Sequence, residues 1–308
     1  MNFEDKTLVL TGATGFIGSH LRRRLKELNF ARVVLISRHS DLEPSPNEVV
    51  IEGELSVLSR ASFRKASVDQ IDYLVHLAGF APKEGPEADG IEPNLQDNVL
   101  ATHRLLQSLP NDPVRIVFAS TLDVYSPVDS DAVLTERSPV GDCSFYGHSK
   151  LLCEALVRVY ARSRGIAYTI LRYGHIYGSG EEAYKKLIPT TIRRLLVNEA
   201  PVVYGDGTPL RDFLHVSDAV EATIRALIVE TPTVNAVNLV RGESATINEV
   251  VQKLVDLTAF QGSIQYVPGN GVVRSLRFDN RLMKELFGEW EFIPLDAGLA
   301  EEVKSFRL

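Results

Sequence analysis

A glycine-rich turn near the N-terminus constrains the fold of this chain more than any other feature. A short apolar run at residues 7–10 is followed by Thr11-Gly12-Ala13-Thr14-Gly15-Phe16-Ile17-Gly18, and then by apolar residues at helical spacing. Gly12 permits a tight turn, Gly15 lets the backbone approach a pyrophosphate, and Gly18 lets the helix lie close to the strand. Amides at a helix N-terminus attract phosphate, so the turn predicts a dinucleotide-binding site. Its predicted lining residues are Gly12, Thr14, Gly15, Phe16, Ile17 and Gly18.

Short apolar runs alternate with helical patterns over residues 1–173, which predicts an α/β fold with a Rossmann-type, doubly wound parallel sheet. The predicted strands are Thr7–Thr11, Arg32–Ile36, Val49–Glu52, Tyr73–His76, Val114–Ala119 and Ala167–Arg172. The predicted helices are Ile17–Leu28, Asn94–Leu109, Ser144–Arg164, Asp218–Ile228 and Ile247–Leu257. We expect residues 174–308 to form a smaller, interleaved substrate-binding lobe, with some of its segments returning to the sheet.

The composition excludes several classes of protein. The chain has 308 residues and a net charge of −7, and it lacks the basic stripe that a nucleic-acid partner requires. Two cysteines are too few for the disulfide framework of a small secreted domain. The N-terminus lacks an apolar signal region, and no apolar run is long enough to span a membrane. We therefore expect a cytoplasmic protein with no membrane partner and no metal centre.

The end of the second predicted strand distinguishes NAD from NADP. An acidic residue at this point would bind the ribose 2′-hydroxyl and repel a 2′-phosphate. In this chain Ser37 and Arg38 follow the apolar run instead. A guanidinium next to a hydroxyl suits a phosphate monoester, so the sequence favours NADP(H) over NAD(H). The alternative is that Arg38 is only a surface residue.

Tyr146 and Lys150 are the candidates for acid–base chemistry. They lie four residues apart at the start of a long helical pattern, and residues at this spacing share one helix face. A nearby ammonium favours phenolate, so we expect Lys150 to lower the pKa of Tyr146 from its usual value near 10. Such a phenol can exchange a proton with an alcohol or carbonyl oxygen. Hydroxyl residues, Thr121 among them, end the fifth strand at the sheet edge where ligands bind.

Taken together, these motifs resemble those of the extended short-chain dehydrogenase/reductases, specifically the NAD(P)-dependent nucleotide-sugar epimerase/dehydratase/reductase family. The resemblance covers nearly the whole chain, and the order of its motifs is specific to this group. Its motifs are Thr11–Gly18, His76-Leu77-Ala78-Gly79, Asn98, Thr121, Tyr146, Lys150, Leu171–Gly178 and Arg211–Asp218.

The resemblance implies a role for each matching residue. Thr121 would hydrogen-bond the reacting oxygen, Tyr146 would be the acid–base group, and Lys150 would support it and bind a ribose. Further residues implied in dinucleotide binding are Glu54, Leu55, Leu77, Ala78, Gly79, Asn98, Tyr173, His175 and Ile176. Residues implied in binding a nucleotide-diphosphate sugar are Asp123, His175, Val203, Tyr204, Arg211 and Arg274.

Several of these assignments have alternatives. Arg211 is implied as a clamp on the substrate pyrophosphate, since a guanidinium binds phosphate oxygens in pairs. The alternative for Arg211 is a surface ion pair with Asp206 or Asp212. His175 stands where many relatives have Asn, and it would contact the phosphates or sugar, or only fill space. The segment around Arg274 lacks the usual Arg-x-Gly-Asp pattern.

Four reactions of the family remain to be separated: dehydration, decarboxylation, epimerisation and simple reduction. Dehydratases often carry an Asp-Glu pair after the catalytic Thr, and the matching positions here are Leu122 and Asp123. Leucine cannot transfer a proton, so dehydration is disfavoured. Asp123 is either a single functional carboxylate or a structural residue.

Epimerases and reductases share the same Tyr–Lys–Thr chemistry and differ in whether the cofactor stays bound. Because the sequence favours NADP, we expect an NADPH-dependent reductase of a 4-keto-6-deoxy sugar. The alternative is a 4-epimerase with tightly bound NAD, and a remote one is a non-catalytic dinucleotide sensor. The intact Thr121, Tyr146 and Lys150 argue against a sensor.

The resemblance also implies an oligomeric state. In this family the helices that match Asn94–Leu109 and Ser144–Arg164 commonly pair with their twofold mates in a four-helix bundle. The second helix has apolar residues on more than one face, which is compatible with such pairing. We therefore expect a homodimer.

Overall fold

A seven-stranded parallel sheet forms the centre of the protein in the computed structural model, which describes residues 3–38, 42–82, 89–129, 132–269 and 275–307. The strands are β1 (Thr7–Thr11), β2 (Arg32–Ser37), β3 (Glu48–Glu52), β4 (Tyr73–His76), β5 (Arg115–Thr121), β6 (Val133–Leu134), β7 (Ala167–Tyr173), β8 (His175–Tyr177), β9 (Val202–Tyr204), β10 (Leu210–His215), β11 (Thr233–Leu239), β12 (Ser244–Thr246), β13 (Gln265–Val267) and β14 (Arg277–Phe278). The helices are α1 (Phe16–Leu25), α2 (Arg60–Lys65), α3 (Ile91–Pro93), α4 (Ala101–Ser108), α5 (Phe145–Arg164), α6 (Leu187–Leu196), α7 (Val216–Ile228), α8 (Ile247–Thr258), α9 (Arg281–Phe287) and α10 (Leu295–Ser305).

The strand order of the large sheet is β11-β7-β5-β4-β1-β2-β3, and every neighbouring pair is parallel. The predicted Rossmann-type α/β fold is confirmed. Alternate residues of each strand enter opposite layers of the core. In β2, Val33 and Leu35 pack in a cluster with Leu21 of α1, whereas Val34 and Ile36 pack in the cluster on the other face.

The second half of the chain contains more strands than the sequence analysis predicted. Strands β8, β10 and β12 form a three-stranded sheet, and α6, α8 and α10 enclose a cluster that includes Ile188, Leu254 and Leu299. These strands are only three to six residues long, too short for a periodicity to be recognised. Strand β11 lies beside β7 in the large sheet.

One predicted helix has an irregular beginning. Residues 91–108 start with α3, continue as a π-helical stretch (Asn94–Leu100), and only then become the regular helix α4. Buried side chains of the π-helical stretch include Asn94 and Asn98, which hydrogen-bond each other at 3.1 Å. Among the described residues, no helix is both long and apolar enough to cross a bilayer.

A buried ion pair fastens α5 to the sheet. Both carboxylate oxygens of Glu154 accept from the Arg172 guanidinium at 3.0 Å, and Glu154 also accepts from Ser120 Oγ at 2.6 Å. Glu154 is fully buried, and Arg172 donates further to the Tyr125 hydroxyl at 3.0 Å. The pair therefore joins the middle of α5 to β5 and β7, directly beneath the end of the sheet that carries Thr121.

We predict that Glu154→Ala lowers the free energy of unfolding by about 3–5 kcal/mol, because it leaves the buried Arg172 charge without its carboxylate. Arg158→Ala is the matched control, since Arg158 contacts the same carboxylate at 3.4 Å from a more exposed position. Its removal is expected to cost roughly 0–1 kcal/mol. Denaturant unfolding monitored by circular dichroism measures both; equal losses would show that the pair does not anchor α5.

Candidate active site

The glycine turn between β1 and α1 has the geometry of a phosphate cradle. Gly12 adopts a φ of +77°, and a Cβ at this position would lie 2.7 Å from the backbone nitrogen of Ala78. A Cβ on Gly18 would overlap the carbonyl oxygen of Gly12. The first turn of α1 has neither a side-chain cap nor an acidic residue, which leaves its amides to an anion. Thr14 and Gly15 are exposed at the turn, whereas Phe16 and Ile17 are half-buried behind it.

The loop after β4 forms the next wall of the same cleft. Ala78 N donates to Thr11 Oγ1 at 3.1 Å, and Phe80 N donates to Asn98 Oδ1 at 2.7 Å. The Asn98 amide nitrogen donates to Ser149 Oγ at 2.9 Å as well as to other groups in this wall. Asn98 thus holds the loop that carries Leu77, Ala78 and Gly79 in place, with its own polar atoms engaged by protein.

Gly79 lies where this wall meets α5. A Cβ on Gly79 would be 2.6 Å from Asn98 Oδ1 and 3.6 Å from Lys150 Nζ. An ammonium, a glycine surface and the cradle of α1 therefore border one cleft. These features fit a dinucleotide, whose phosphates need amides and whose ribose needs polar partners.

The candidate acid–base group stands at the start of α5. Ser144 caps this helix by accepting from Gly147 N at 3.1 Å, which fixes the first turn and with it Tyr146. The Tyr146 hydroxyl lies next to Thr121 at the end of β5, and the threonine hydroxyl acts to lower the pKa of the phenol. Thr121 Oγ1 in turn donates to Asp123 Oδ2 at 3.3 Å. The structure thus brings Tyr146 and Thr121 together, as the sequence analysis expected.

The electrostatics of Tyr146 differ from the prediction. Burial raises the pKa of Tyr146 above its usual value, and the charges of Asp123 and Tyr184 raise it further. The predicted lowering by Lys150 is wrong for this arrangement, in which Lys150 Nζ lies 4.7 Å from the centroid of the Phe118 ring. Burial also lowers the pKa of Lys150.

Two carboxylates border Tyr146. The Asp123 side chain is exposed to solvent in the cleft. The surrounding protein nevertheless raises the pKa of Asp123 by desolvating its carboxylate, and the charge of Asp89 raises this pKa further. Asp89 Oδ2 accepts from the Tyr146 backbone amide at 3.2 Å. The neighbour Leu122 belongs to the apolar cluster with Val124 and therefore takes no part in proton transfer. Asp123 is the carboxylate that the geometry places beside the Thr121–Tyr146 pair.

Residues after β8 form a wall that the sequence analysis missed. Tyr184 packs at 6.4 Å from the Phe16 ring and raises the pKa of Tyr146, so it lies near both the glycine turn and the catalytic phenol. Lys186 pairs with the buried Glu181 at 2.7 Å, and its charge lowers the pKa of Asp123. These residues precede α6 in a segment without periodic pattern, and no sequence signal identified them.

His175 and Arg211 meet on the other side of the cleft. Burial lowers the pKa of His175 to about 3, and the charges of Arg211 and Lys186 contribute, so its imidazole is neutral. His175 Nδ1 is buried with no hydrogen-bond partner among the described residues. The Asp212 carboxylate accepts from the backbone amides of Arg241 and Gly242 at 2.8 Å each, instead of forming the surface ion pair that was the alternative for Arg211.

Other predicted contacts are placed less favourably. Val203 is 1% exposed, so its side chain cannot flank a nucleotide base, whereas Tyr204 is exposed. Tyr173 directs its hydroxyl to Thr223 Oγ1 at 2.5 Å, away from the cleft, which leaves only its backbone for the predicted contact. Ile176 is also buried. Arg274 lies outside the described residues.

The adenosine end of the predicted site is bordered by β2 and β3. Ser37 is buried at the end of β2 and Arg38 is exposed just beyond it. Gly53 N donates to the Ser37 carbonyl at 2.9 Å, so the turn after β3 follows directly alongside. Glu54 and Leu55 begin the short 3-10 helix after that turn.

Comparison with known proteins identifies the family. Residues 8–239 match the NAD dependent epimerase/dehydratase family. The chain belongs to this family. A solved structure of MoeE5 in complex with UDP-glucose and NAD is 32% identical to it, covers 98% of each chain and has a TM-score of 0.84.

Two further relatives are similar over almost their whole length. The UDP-N-acetylglucosamine 4-epimerase from Methanobrevibacter ruminantium M1, solved with UDP-N-acetylmuramic acid, is 27% identical, with 100% and 99% of the two chains covered and a TM-score of 0.87. A putative UDP-glucose 4-epimerase of Methanocaldococcus jannaschii is 28% identical over 91% of this chain and 92% of its own. The predicted extended short-chain dehydrogenase/reductase class is confirmed, and the chain is an enzyme of this NAD-dependent family. The predicted NADP preference is not supported.

A buried histidine supports the floor of the cleft. His76, at the end of β4, bridges Thr11 Oγ1 at 2.7 Å and Thr102 Oγ1 at 2.9 Å. Burial, together with the Lys150 charge, lowers the pKa of His76 to about 3. The neutral imidazole therefore joins the strand before the glycine turn to α4.

We predict that His76 makes the protein sensitive to acid. Its folded pKa of about 3 lies below the ordinary value of 6.5, so the stabilisation is complete above pH 6.5 and is lost as the pH falls toward 3. Between pH 6.5 and about pH 4 the loss is expected to be about 3 kcal/mol. In His76→Gln the free energy of unfolding should depend less on pH in this range. In the control His103→Gln, which changes an exposed histidine, the pH dependence should stay as in the wild-type protein. An unaltered slope in His76→Gln would contradict the assignment.

Proposed function

We propose that the protein is an NAD-dependent 4-epimerase of a UDP-sugar. The observation that carries the proposal is that Tyr146 lies next to Thr121, whose hydroxyl donates to the Asp123 carboxylate. This set suffices to exchange one proton at one sugar oxygen. The proposal is supported by two relatives that are named UDP-sugar 4-epimerases, one of them putative, and by the structure of MoeE5, which contains NAD.

In the proposed reaction Tyr146 Oη takes the proton of the sugar C4 hydroxyl and later returns it to the same oxygen. Thr121 Oγ1 can hydrogen-bond that oxygen, because Thr121 lies next to the phenol. Bound NAD supplies a reversible two-electron oxidation of C4. The hydride that the cofactor would return to the opposite face of C4 would invert this carbon, and Tyr146 Oη would restore the proton to the same oxygen.

Asp123 controls how easily the phenol ionises. While Asp123 is charged it opposes the Tyr146 phenolate, and its own pKa is raised by the surrounding protein. When Asp123 holds a proton, the repulsion disappears and its carboxyl can donate to a sugar hydroxyl. Lys150 lies on the next turn of α5 with Gly79 beside it, and its ammonium can donate to a ribose hydroxyl of the dinucleotide.

The nucleotide diphosphate would lie between His175 and Arg211. Arg211 is fixed by donating to the Leu210 carbonyl at 2.7 Å, and its guanidinium can bind phosphate oxygens bidentately. The unpartnered Nδ1 of His175 supplies a further polar contact in the same place. The exposed ring of Tyr204 is available to the base.

Epimerisation is favoured over the other reactions of the family. Leu122 is held in an apolar cluster, so the acid–base pair required for dehydration is incomplete. The reductase interpretation depended on NADP, and the solved structure of MoeE5 contains NAD. A retained cofactor that is regenerated in each turnover matches epimerisation.

The proposal is tested by incubating the purified protein with UDP-glucose and with UDP-glucuronic acid, and by separating the products chromatographically. We expect the C4 epimer to form without net change in NADH absorbance. Tyr146→Phe should lower kcat by about 10²–10⁴-fold while leaving NAD affinity almost unchanged, because the phenol oxygen carries the proton rather than the cofactor. Stoichiometric oxidation of NADPH by a 4-keto nucleotide sugar would instead establish the reductase.

We also propose that the protein is a homodimer through α5 and the helices before it. Leu152 and Val159 of α5 are exposed, and so are Leu95 and Leu100 of the adjoining π-helical stretch. Leu152 and Val159 are seven residues apart and share one helix face. An apolar surface of this kind on packed helices is typical of a subunit interface.

The predicted consequence is that Val159→Glu converts the dimer into a monomer, because the new carboxylate would be buried without a partner. Val159 is 69% exposed in the single chain, and Val114, at 59%, offers a matched control away from α5. Val114→Glu should leave the mass in multi-angle light scattering unchanged. A wild-type protein that is monomeric at micromolar concentration contradicts the proposal.

A further inference from the structure

The end of β3 supplies the carboxylate that is missing at the end of β2. In a dinucleotide site that selects NAD, an acidic side chain near the end of the second strand binds the adenosine ribose. Here β2 ends in Ser37, which has no charge. In the parallel ladder between β2 and β3, Ser37 is the direct partner of Glu52.

The two side chains belong to the same face of the sheet. Val33 and Leu35, four and two residues before Ser37, pack in the cluster that contains α1 residues. Val50, two residues before Glu52, packs against that same cluster, while Ile51 belongs to the opposite one. Because side chains alternate along a strand, Glu52 and Ser37 both lie on the side of α1. This is also the helix whose N-terminus forms the phosphate cradle.

The distance between the two positions is small. Neighbouring strands are about 4.8 Å apart, and Glu is one methylene longer than the Asp that would be expected on β2. The hydrogen bond from Gly53 N to the Ser37 carbonyl at 2.9 Å keeps the two strand ends together beyond Glu52. The Glu52 carboxylate can therefore reach a ribose lying over the end of β2.

Unlike the other carboxylates nearby, that of Glu52 is not held by a hydrogen bond or an ion pair within the described part of the chain. Its side chain is exposed and makes neither a hydrogen bond nor an ion pair to another described residue. By contrast, Glu48 is bound by Arg22 at 2.7 Å and by a backbone amide. Glu54 lies past the turn and accepts from Ser56 Oγ at 3.2 Å.

We infer that Glu52 binds the 2′- and 3′-hydroxyls of the adenosine ribose and makes the protein select NAD over NADP. A carboxylate accepts hydrogen bonds from both hydroxyls, and it repels the 2′-phosphate of NADP. Arg38, next to Ser37, is the group that a 2′-phosphate would use. This inference rests on the dinucleotide binding assumed in the proposed function and identifies what determines its selectivity.

The test is isothermal titration calorimetry of NAD and NADP with the full-length protein stripped of bound nucleotide. The wild-type protein should bind NAD more tightly than NADP. In Glu52→Gln the affinity for NAD should fall about 10-fold, as expected when a charged hydrogen bond becomes a neutral one, and the affinity for NADP should rise. A ratio of the two dissociation constants that stays at the wild-type value in this variant refutes the role of Glu52.

Two further variants separate this role from a general effect on the site. Asp69→Asn is the control, a loss of one exposed carboxylate that the site does not include, and it should leave the ratio unchanged. Adding Ser37→Asp to Glu52→Gln moves the carboxylate to the neighbouring strand and should restore selectivity for NAD. A control that shifts the ratio as much as Glu52→Gln overturns the inference. If the wild-type protein binds neither dinucleotide, the proposed function itself fails.

Discussion

The site depends on one constraint, the fixed position of α5 against the carboxyl edge of the sheet. This helix carries both Tyr146 and Lys150, while Thr121 belongs to a strand. The Glu154–Arg172 ion pair and the bond from Ser120 to Glu154 fix the helix to the two strands on which it lies. Because Ser120 directly precedes Thr121, the same contact sets the position of the hydroxyl that meets the phenol. The helix cannot slide without breaking a charge pair that is buried from water.

The neighbourhood of Tyr146 shows why proximity to an ammonium is not enough to make a phenol acidic. Burial disfavours the charged form of both partners, so the pKa of Tyr146 rises and that of Lys150 falls. The carboxylate of Asp123 acts in the same direction as burial. The proton balance at this site is therefore set by at least three groups, and it responds to any positive charge that binds beside the phenol.

The parts of the site that lie on regular elements could be predicted, and those on irregular segments could not. The glycine turn and the helix spacing of Tyr146 and Lys150 each depend on local geometry, which the order of residues specifies. Strand ends such as Thr121 follow from the rule that parallel strands present ligands at their carboxyl edge. Tyr184 and Lys186 belong to a connection without periodicity, and only tertiary packing brings them to Phe16 and Asp123. Val203 was misjudged because burial of a short strand cannot be read from three residues.

Cofactor preference illustrates the same distinction between position in the chain and position in the sheet. At the end of β2 the chain has Ser37 instead of an acidic residue. On this basis the sequence favoured a site for the 2′-phosphate of NADP over a site for the 2′-hydroxyl of NAD. In this parallel sheet, however, the surface at the end of β2 is made by two adjacent strand ends, in which Ser37 and Glu52 are paired across the ladder. A carboxylate on either of the two strand ends can therefore reach the same space. The register of β2 and β3 places Glu52 beside Ser37, so an acidic side chain is present at this end of the sheet although β2 itself lacks one. A single sequence does not reveal this register.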